Sequence, residues 1–301
     1  MGEGGKRLLT FNPLKAVNST NSMTLPCGKC TGCRLDHAQE WAVRSIHESR
    51  MHKENCFITL TFDNEHLPED YSVHVRTWQL FMKKLRKKFG SKIRFYACGE
   101  YGDLNKRPHY HALIFNHDFH DKKYYQTTPQ ENILYTSQTL TDLWSYGFAT
   151  TGNIDYQSAG YCTRYNMKKI NGGIAADHYW REHPLTKQMV SVQPEFATQS
   201  RRPGLGQKFF EQHKAEIFPA DYIVIEGRKL PVPRYYLNQL TEEERTKILK
   251  RRNPVGVEVD AASGRVLLVD KTESRANKTS ERLRSREAVQ KARISSLKRN
   301  I

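Results

Sequence analysis

Apolar residues recur with two different periods through about residue 170, and both periods fade beyond it. The run Cys56-Phe57-Ile58-Thr59-Leu60-Thr61-Phe62 is β-branched and aromatic, which predicts a strand. Asp63-Asn64-Glu65-His66-Leu67-Pro68 ends it. Positions 93–98 and 110–115 predict two more strands joined by a polar loop, and 148–154 predicts another. Helical spacing appears over 35–52, where Leu35, Ala38, Trp41, Ala42 and Ile46 lie near one face. It returns over 74–89, where Trp78, Phe81, Met82, Leu85 and Phe89 share a face opposite Lys83, Lys84, Arg86, Lys87 and Lys88. A short helix near 138–145 and a helix over 157–169 follow. Hairpin-like strand pairs with helices on one face predict an α+β fold, an antiparallel sheet flanked by helices, rather than a doubly wound parallel sheet.

Four segments follow from this pattern. Residues 1–34 form an arm ending in a cysteine cluster, 35–175 a core, 176–240 an extension with a hairpin expected at 222–232, and 241–301 a tail. From about 271 the tail is dominated by Arg, Lys, Ser and Glu, as in a solvated helix or a disordered segment.

Composition changes the picture by naming a partner. The 301 residues carry a net charge of +16 and a pI near 9.6, with 38% hydrophobic and 11% aromatic residues. A protein this basic meets a polyanion, with nucleic acid the first candidate and an anionic membrane the second. Its mean hydropathy is -0.74. No apolar run approaches the roughly 20 residues that span a bilayer. Residues 1–25 lack the apolar stretch of a signal peptide, so a cytosolic location is expected. In a reducing compartment, the cluster Cys27, Cys30 and Cys33 suggests metal or thiol chemistry. Three thiolates leave a structural Zn²⁺ one ligand short, and His37 and Cys56 are candidates for the fourth. The competing reading is a thiol loop packed on the core.

Two constellations carry chemistry. In His109-Tyr110-His111, strand alternation projects both imidazoles from one face and Tyr110 from the other. Glu100, at the end of the preceding strand, supplies a carboxylate if the strands pair. Glu65, His66 and Asp103 are alternative third ligands. Two imidazoles and a carboxylate leave positions open for water and a phosphate oxygen. In the predicted helix, Tyr161 and Tyr165 stand at i and i+4, with Cβ atoms about 5–6 Å apart. Lys168 lies a turn beyond Tyr165, and Lys169 borders it. Tyrosine acts as a covalent nucleophile when its phenol, with an ordinary pKa of about 10, is activated by a nearby cation. Taken singly, each constellation also reads as ordinary strand polarity or helix core. Lys83, Lys84, Lys87, Arg164, Lys169, Arg201, Arg202 and the tail are candidate phosphate contacts, which give affinity without sequence choice.

The ordered set resembles the HUH endonuclease superfamily of Rep proteins, relaxases and related transposases. The set comprises the threonine-rich strand, Gly99-Glu100, Pro108-His109-Tyr110-His111 and the tyrosine pair with its lysines. Further stretches narrow the resemblance to replication initiators of small single-stranded DNA phages of the gokushovirus type. They are Pro26-Cys27 through Cys33-Arg34, Trp41-Ala42-Val43-Arg44, Leu143-Trp144 through Gly147-Phe148, Arg201-Arg202-Pro203-Gly204-Leu205-Gly206, and Pro233-Arg234-Tyr235-Tyr236. The resemblance covers about residues 25–237. It implies a Rep-type nuclease fold over 35–175, with His109 and His111 on a central strand. These would bind Mg²⁺ or Mn²⁺ with Glu100, and imidazole ligation makes Mn²⁺ a good activator. It further implies that one tyrosine nicks single-stranded or nicked origin DNA, forming a 5′-phosphotyrosine and leaving a 3′-OH for the host polymerase, with a host helicase assisting. The second tyrosine then resolves the product into a circle, and Lys168 stabilises the phenolate or positions the phosphate. The expected setting is the cytoplasm of a bacterial host. Two alternatives stand beside it: the same core in a plasmid Rep, relaxase or transposase, and a non-catalytic nucleic-acid-binding protein.

Overall fold

The computed structural model describes residues 6–10, 22–26, 31–102, 106–165, 175–252, 255–259, 266–270, 284–285, 287–289 and 291–292. Strands β1 (Lys6–Thr10) and β2 (Ser22–Pro26) pair antiparallel and precede helix α1 (Thr31–Ser49). Then come β3 (Asn55–Thr61), α2 (Val75–Phe89), β4 (Arg94–Tyr101) and β5 (Pro108–Phe115). Next are β6 (Lys122–Thr127), β7 (Ile133–Ser137), α3 (Gln138–Trp144), β8 (Ala149–Gly152) and α4 (Tyr156–Arg164). After α5 (Ala175–His178) follow β9 (Trp180–Glu182), β10 (Met189–Ser191), β11 (Phe196–Gln199) and α6 (Gln207–Ala220). The described chain continues through β12 (Tyr222–Ile225), β13 (Arg228–Pro231), α7 (Arg234–Leu237), α8 (Glu242–Arg252), β14 (Val255–Val259) and β15 (Val266–Asp270). Two compact units emerge. The larger holds the described residues of 38–214 and 224–228; the smaller holds those of 1–37, 215–223 and 229–298.

The larger unit is built on a seven-stranded sheet of order β11-β4-β5-β3-β8-β7-β6, with every pairing antiparallel. The α+β class read from the hydrophobic pattern is therefore the architecture found. Strand β5 lies inside the sheet, bonded to β4 on one side and β3 on the other. Its last six residues are all buried, and the last six of β4 likewise. Continuous burial of alternating side chains requires cover on both faces of a sheet.

Both faces are covered, which corrects the expectation of helices on one face only. On the first, Trp78, Phe81, Met82 and Leu85 of α2 meet Ile58, Leu60, Tyr110, Ala112 and Ile114 in one core cluster. Helix α3 adds Leu140, Leu143 and Trp144, and the Trp144 indole N–H donates to the Thr61 carbonyl at 3.0 Å. On the second face, Trp41 of α1 lies against Tyr96 of β4, with ring centroids 5.4 Å apart. There the α4 thiol of Cys162 sits 3.8 Å from that of Cys98 in β4. Phe95, Ala97 and Tyr110 look one way along these strands; Tyr96, Cys98 and His111 look the other.

Two glycines permit close approach. At Gly147, φ is 140° and a Cβ would fall 2.3 Å from the Asp63 amide nitrogen. Residues 146–148 thereby run beside β3, accepting from the Thr61 and Asp63 amides. At Gly99 a Cβ would collide with the Phe196 ring of β11.

Several elements lay outside the predicted set. Strands β6, β7, β9, β10, β11, β14 and β15, and helices α6 and α8, carry weak periodicity. Helix α1 begins at Thr31, not near 35, so Cys33 is in its first turn. Strands β4 and β5 extend to Tyr101 and back to Pro108, and this lengthening carries Glu100 and His109 into the sheet. The hairpin expected at 222–232 forms as β12 and β13.

Candidate active site

Three side chains converge at one end of the second face. The β4–β5 register places Glu100 opposite His109 and Cys98 opposite His111. Because alternation puts His109, His111 and Glu100 on one side, their ligand atoms all lie within 4.8 Å of one another. Glu100 Oε1 is 2.5 Å from His109 Nε2 and 3.4 Å from His111 Nε2. Glu100 and His111 are buried and His109 is half-buried.

The other ring nitrogens are committed. His109 Nδ1 lies 2.9 Å from the Arg107 carbonyl, which can only accept, so Nδ1 carries a proton and donates. His111 Nδ1 is 3.0 Å from Thr59 Oγ1, the residue facing it across β3. Both rings therefore turn Nε2 toward Glu100, the arrangement that orients metal-ligating histidines. Burial pushes the Glu100 carboxyl upward. The hydrogen bonds and charges of His109 and His111 outweigh it and hold the carboxyl well below its usual range. The Nε2–carboxylate contact needs one proton between its atoms, and a divalent cation would take that proton's place. A carboxylate oxygen and two imidazole nitrogens fit an octahedral ion with positions left open.

Of the alternative third ligands, His66 is exposed and its ring and amide bond Asp63 at 2.8 and 2.9 Å. Glu65 is also exposed and outside the cluster. Asp103 lies outside the described residues.

Helix α4 covers this centre. Asp155 and Ser158 form a reciprocal capping box that fixes where the helix starts. That phase turns Cys162 into the sheet and sets Tyr161 and Tyr165 together on the adjoining flank of the helix, over His111. The Tyr161 ring stands 5.1 Å from that of His111 at 84°, and the Tyr165 ring stacks on it at 5.0 Å and 8°. The two phenol rings are 4.7 Å apart and perpendicular. Tyr161 is half-buried; Tyr165, which caps the helix, is 6% exposed.

Burial raises both phenols above their ordinary pKa, and the nearby Glu100 charge raises them further. For Tyr161 a hydrogen bond with Tyr165 opposes this in part. Phenolate formation here requires positive charge from outside the tyrosine pair. Lys168 and Lys169 lie outside the described residues.

The basic candidates separate. Arg164 is half-buried in the last turn of α4. Lys83, Lys84 and Lys87 are exposed on α2, which packs on the opposite face of the sheet, so they do not converge with the histidines. Lys84 instead donates to Ser145 Oγ at 3.1 Å. Arg201 and Arg202 occupy an exposed turn before α6. Of the zinc candidates, Cys33 is half-buried, and Cys27 and Cys30 lie outside the described residues. Cys56 is wholly buried in the core, where burial drives its thiol up and disfavours a thiolate ligand.

Sequence reasoning missed Thr59 and the Arg107 carbonyl, whose roles depend on pairing across β3 and on a turn. It also missed an aromatic pair. Phe148 precedes core-facing Ala149, so it shares the histidine face, and its carbonyl accepts from the Thr61 amide at 2.8 Å. Thr61 in turn pairs with His109. Tyr125, at a register shift in β6, sets its ring 5.1 Å from Phe148, and the two are 46% and 47% exposed.

The stretch that forms this arrangement is similar to known proteins. The family model for replication-associated protein ORF2/G2P matches residues 55–170, which hold both histidines and both tyrosines. The replication-associated protein VP4 of Bdellovibrio phage phiMH2K is 35% identical over 237 residues, covering 76% of this chain and 71% of that protein. The replication-associated protein ORF2 of Spiroplasma virus 4 is 32% identical over 236 residues, covering 73% and 68%. The replication-associated protein ORF4 of Chlamydia phage 1 is 32% identical over 244 residues, covering 74% and 56%. No solved structure matches the chain. The chain belongs to the replication-associated protein family of small phages of the gokushovirus type.

Proposed function

We propose that this protein initiates rolling-circle replication by nicking origin DNA through a tyrosine nucleophile. One observation carries the reading: a buried acid–imidazole cluster has two tyrosine rings packed on one of its histidines. A structural role alone does not account for a carboxylate and two inward-turned imidazoles buried under two phenols. Relatives from a Bdellovibrio phage, a Spiroplasma virus and a Chlamydia phage favour a phage initiator over a plasmid Rep or a transposase.

Glu100, His109 and His111 would hold Mg²⁺ or Mn²⁺, which supplies Lewis-acid polarisation of the scissile phosphate. Thr59 and the Arg107 carbonyl keep the two imidazoles aimed. Tyr161, the less buried phenol, loses its proton to solvent and its oxygen attacks phosphorus. The bond from phosphorus to the 3′ oxygen breaks, that oxygen takes a proton, and a 5′-phosphotyrosine remains. The freed 3′-OH serves a host polymerase, with a host helicase opening the duplex. Tyr165 attacks the regenerated junction, and the 3′-OH of the released strand then displaces the first tyrosine and closes a circle. Lys168 would stabilise a phenolate. Phe148 and Tyr125 offer a stacking surface for bases beside the cleaved phosphate. No helix among the described residues is long and apolar enough to cross a membrane. The proposed setting is the cytoplasm of the bacterial host.

The test is a covalent adduct. Tiled single-stranded oligonucleotides from the encoding replicon are incubated with the protein and Mn²⁺ or Mg²⁺, then separated in SDS. A stable protein–DNA band that disappears in Tyr161→Phe/Tyr165→Phe supports the reading. Failure of every oligonucleotide to give an adduct or a cleavage product with either metal overturns it.

A further inference from the structure

Strand β4 reaches a basic cavity at the end opposite Glu100. Glu100 stands near its C-terminus, while Arg94 and Phe95 at its start line a cavity of about 710 Å³. The rim draws on distant parts of the chain: Met51 and His52 after α1, Arg86 of α2, Ser91 and Lys92, Asn116 after β5, and Gln199 to Arg202 with Lys208. Six of the lining residues are cationic, namely Arg86, Lys92, Arg94, Arg201, Arg202 and Lys208, and none is acidic. The Arg201-Arg202 turn is held there because Ser200 exchanges two hydrogen bonds with Phe95, amide to carbonyl at 3.0 Å and hydroxyl from amide at 3.1 Å.

These charges are unevenly answered. Buried Glu48, behind the wall, binds Arg94 Nε at 2.5 Å, and the Arg94 guanidinium also donates to the Pro203 carbonyl. Among the described residues, the Arg86 guanidinium donates to the Ile93 carbonyl alone, at 2.9 and 3.1 Å, which supplies no countercharge. Burial and the neighbouring Arg94 charge hold Arg86 below its ordinary range. Among the described residues, Lys92, Arg201, Arg202 and Lys208 form no ion pair. A solvated charge run spreads its cations over a convex face. Here several elements bring them to one concavity, where mutual repulsion is relieved by a bound polyanion.

We propose that this cavity is a second DNA site, taking backbone phosphates of the same molecule that is nicked at the other end of β4. The proposal rests on the nicking reading for the identity of the polyanion. Six residue steps along the strand separate Arg94 from Glu100, about 20 Å at roughly 3.3 Å per step. That span equals about six base-pair steps at 3.4 Å each. The cavity therefore grips DNA about half a helical turn from the scissile phosphate, and it does so through phosphates, which set register rather than read sequence.

The test is the salt dependence of binding, measured by fluorescence anisotropy on a labelled DNA duplex ending in a single-stranded tail. Each lost phosphate contact lowers the slope of log affinity against log salt by about 0.9. Arg201→Ala/Arg202→Ala/Lys208→Ala is expected to lower the slope by about 3, and Lys83→Ala/Lys84→Ala/Lys87→Ala on α2 by less than about 1. Arg201→Lys/Arg202→Lys, which keeps the charge, retains the wild-type slope. An unchanged slope in the cavity variant, or an equal loss in the α2 variant, overturns the proposal. If the triple variant fails to fold, the single exposed change Lys208→Glu carries the same test. Adduct formation on the same DNA is scored separately. Its absence in the wild type sinks the nicking reading while leaving the slope comparison intact.

Discussion

The two faces of the central sheet come from the same strands and do opposite work. On the α2 face, alternate residues of β3, β4 and β5 are apolar or aromatic, and the rings of Trp78, Tyr110 and Trp144 pack together in one core cluster. On the α4 face, the intervening residues include apolar Phe57, Leu113 and Phe115, but at one end they are Thr59, Glu100, His109 and His111, joined to one another and to the backbone by hydrogen bonds. One face supplies stability through area, which tolerates small errors. The other holds buried polar groups whose cost is met only when every partner is in place. A sheet with both faces covered can divide these tasks residue by residue, so the rigid face supports the chemical one.

The comparison breaks first at the tyrosine pair. Tyr161→Phe/Tyr165→Phe should abolish the SDS-stable adduct, a loss of at least about 10³-fold, because removing a covalent nucleophile removes the reaction path. Its thermal melt should stay close to wild type. A large drop in melting temperature would place the tyrosines with the core instead. Conversely, Trp78→Ala should lower unfolding free energy by about 3–5 kcal/mol in urea titrations. If it lowers adduct formation without that loss, the two faces are not separable as described.

Thr59→Val keeps shape and removes the hydroxyl that aims His111. Affinity for Mn²⁺, read by calorimetry, should fall about 10- to 100-fold, as for other groups that orient a metal-binding histidine. An unchanged affinity would show that Thr59 positions nothing.

Acidification sharpens the contrast further. The Glu100 carboxyl is depressed in the folded state, so its contribution to stability is present above the unfolded pKa of about 4.3 and is lost as pH falls through and below it. Urea titrations of metal-free protein should show stability dropping below about pH 4.3. The drop should be shallower in Glu100→Gln, and identical profiles would mean that the cluster contributes nothing to folding. A further effect is expected at the exposed aromatic pair. Phe148→Ala should weaken binding of single-stranded DNA by about 1–3 kcal/mol, the worth of one stacked base, with duplex affinity unaltered.

Much of this was legible in local pattern. The β3 run, the α2 stripe and the His-x-His alternation each depend on residues within a few positions of one another. Strands β6 and β7 were harder to read because their exposed tyrosines, polar residues and register shift carry no clean alternation. Strand β11 was missed because four half-buried residues give no period, and its place beside β4 depends on tertiary pairing. At the site, the histidine and tyrosine pairs were read from spacing, whereas Thr59 and Phe148 were invisible as partners. The lysine run on α2, a candidate phosphate contact from its charge, lies on a helix across the sheet from the histidines.

The sequence by itself determined which residues share a face. Alternation in a strand and the i, i+4 step in a helix are properties of the local backbone and need no knowledge of the rest of the chain. Only the tertiary structure decided what each face meets. It chose Glu100 over Glu65 and His66 through the β4–β5 register, laid α4 and its tyrosines over His111, and sent the α2 lysines to the far side. It also gathered Arg86, Lys92 and Arg201 into one cavity. Those choices depend on contacts between residues such as Thr59 and His111, 52 positions apart. Short-range periodicity carries no information over that distance, and long-range pairing and packing set the outcome.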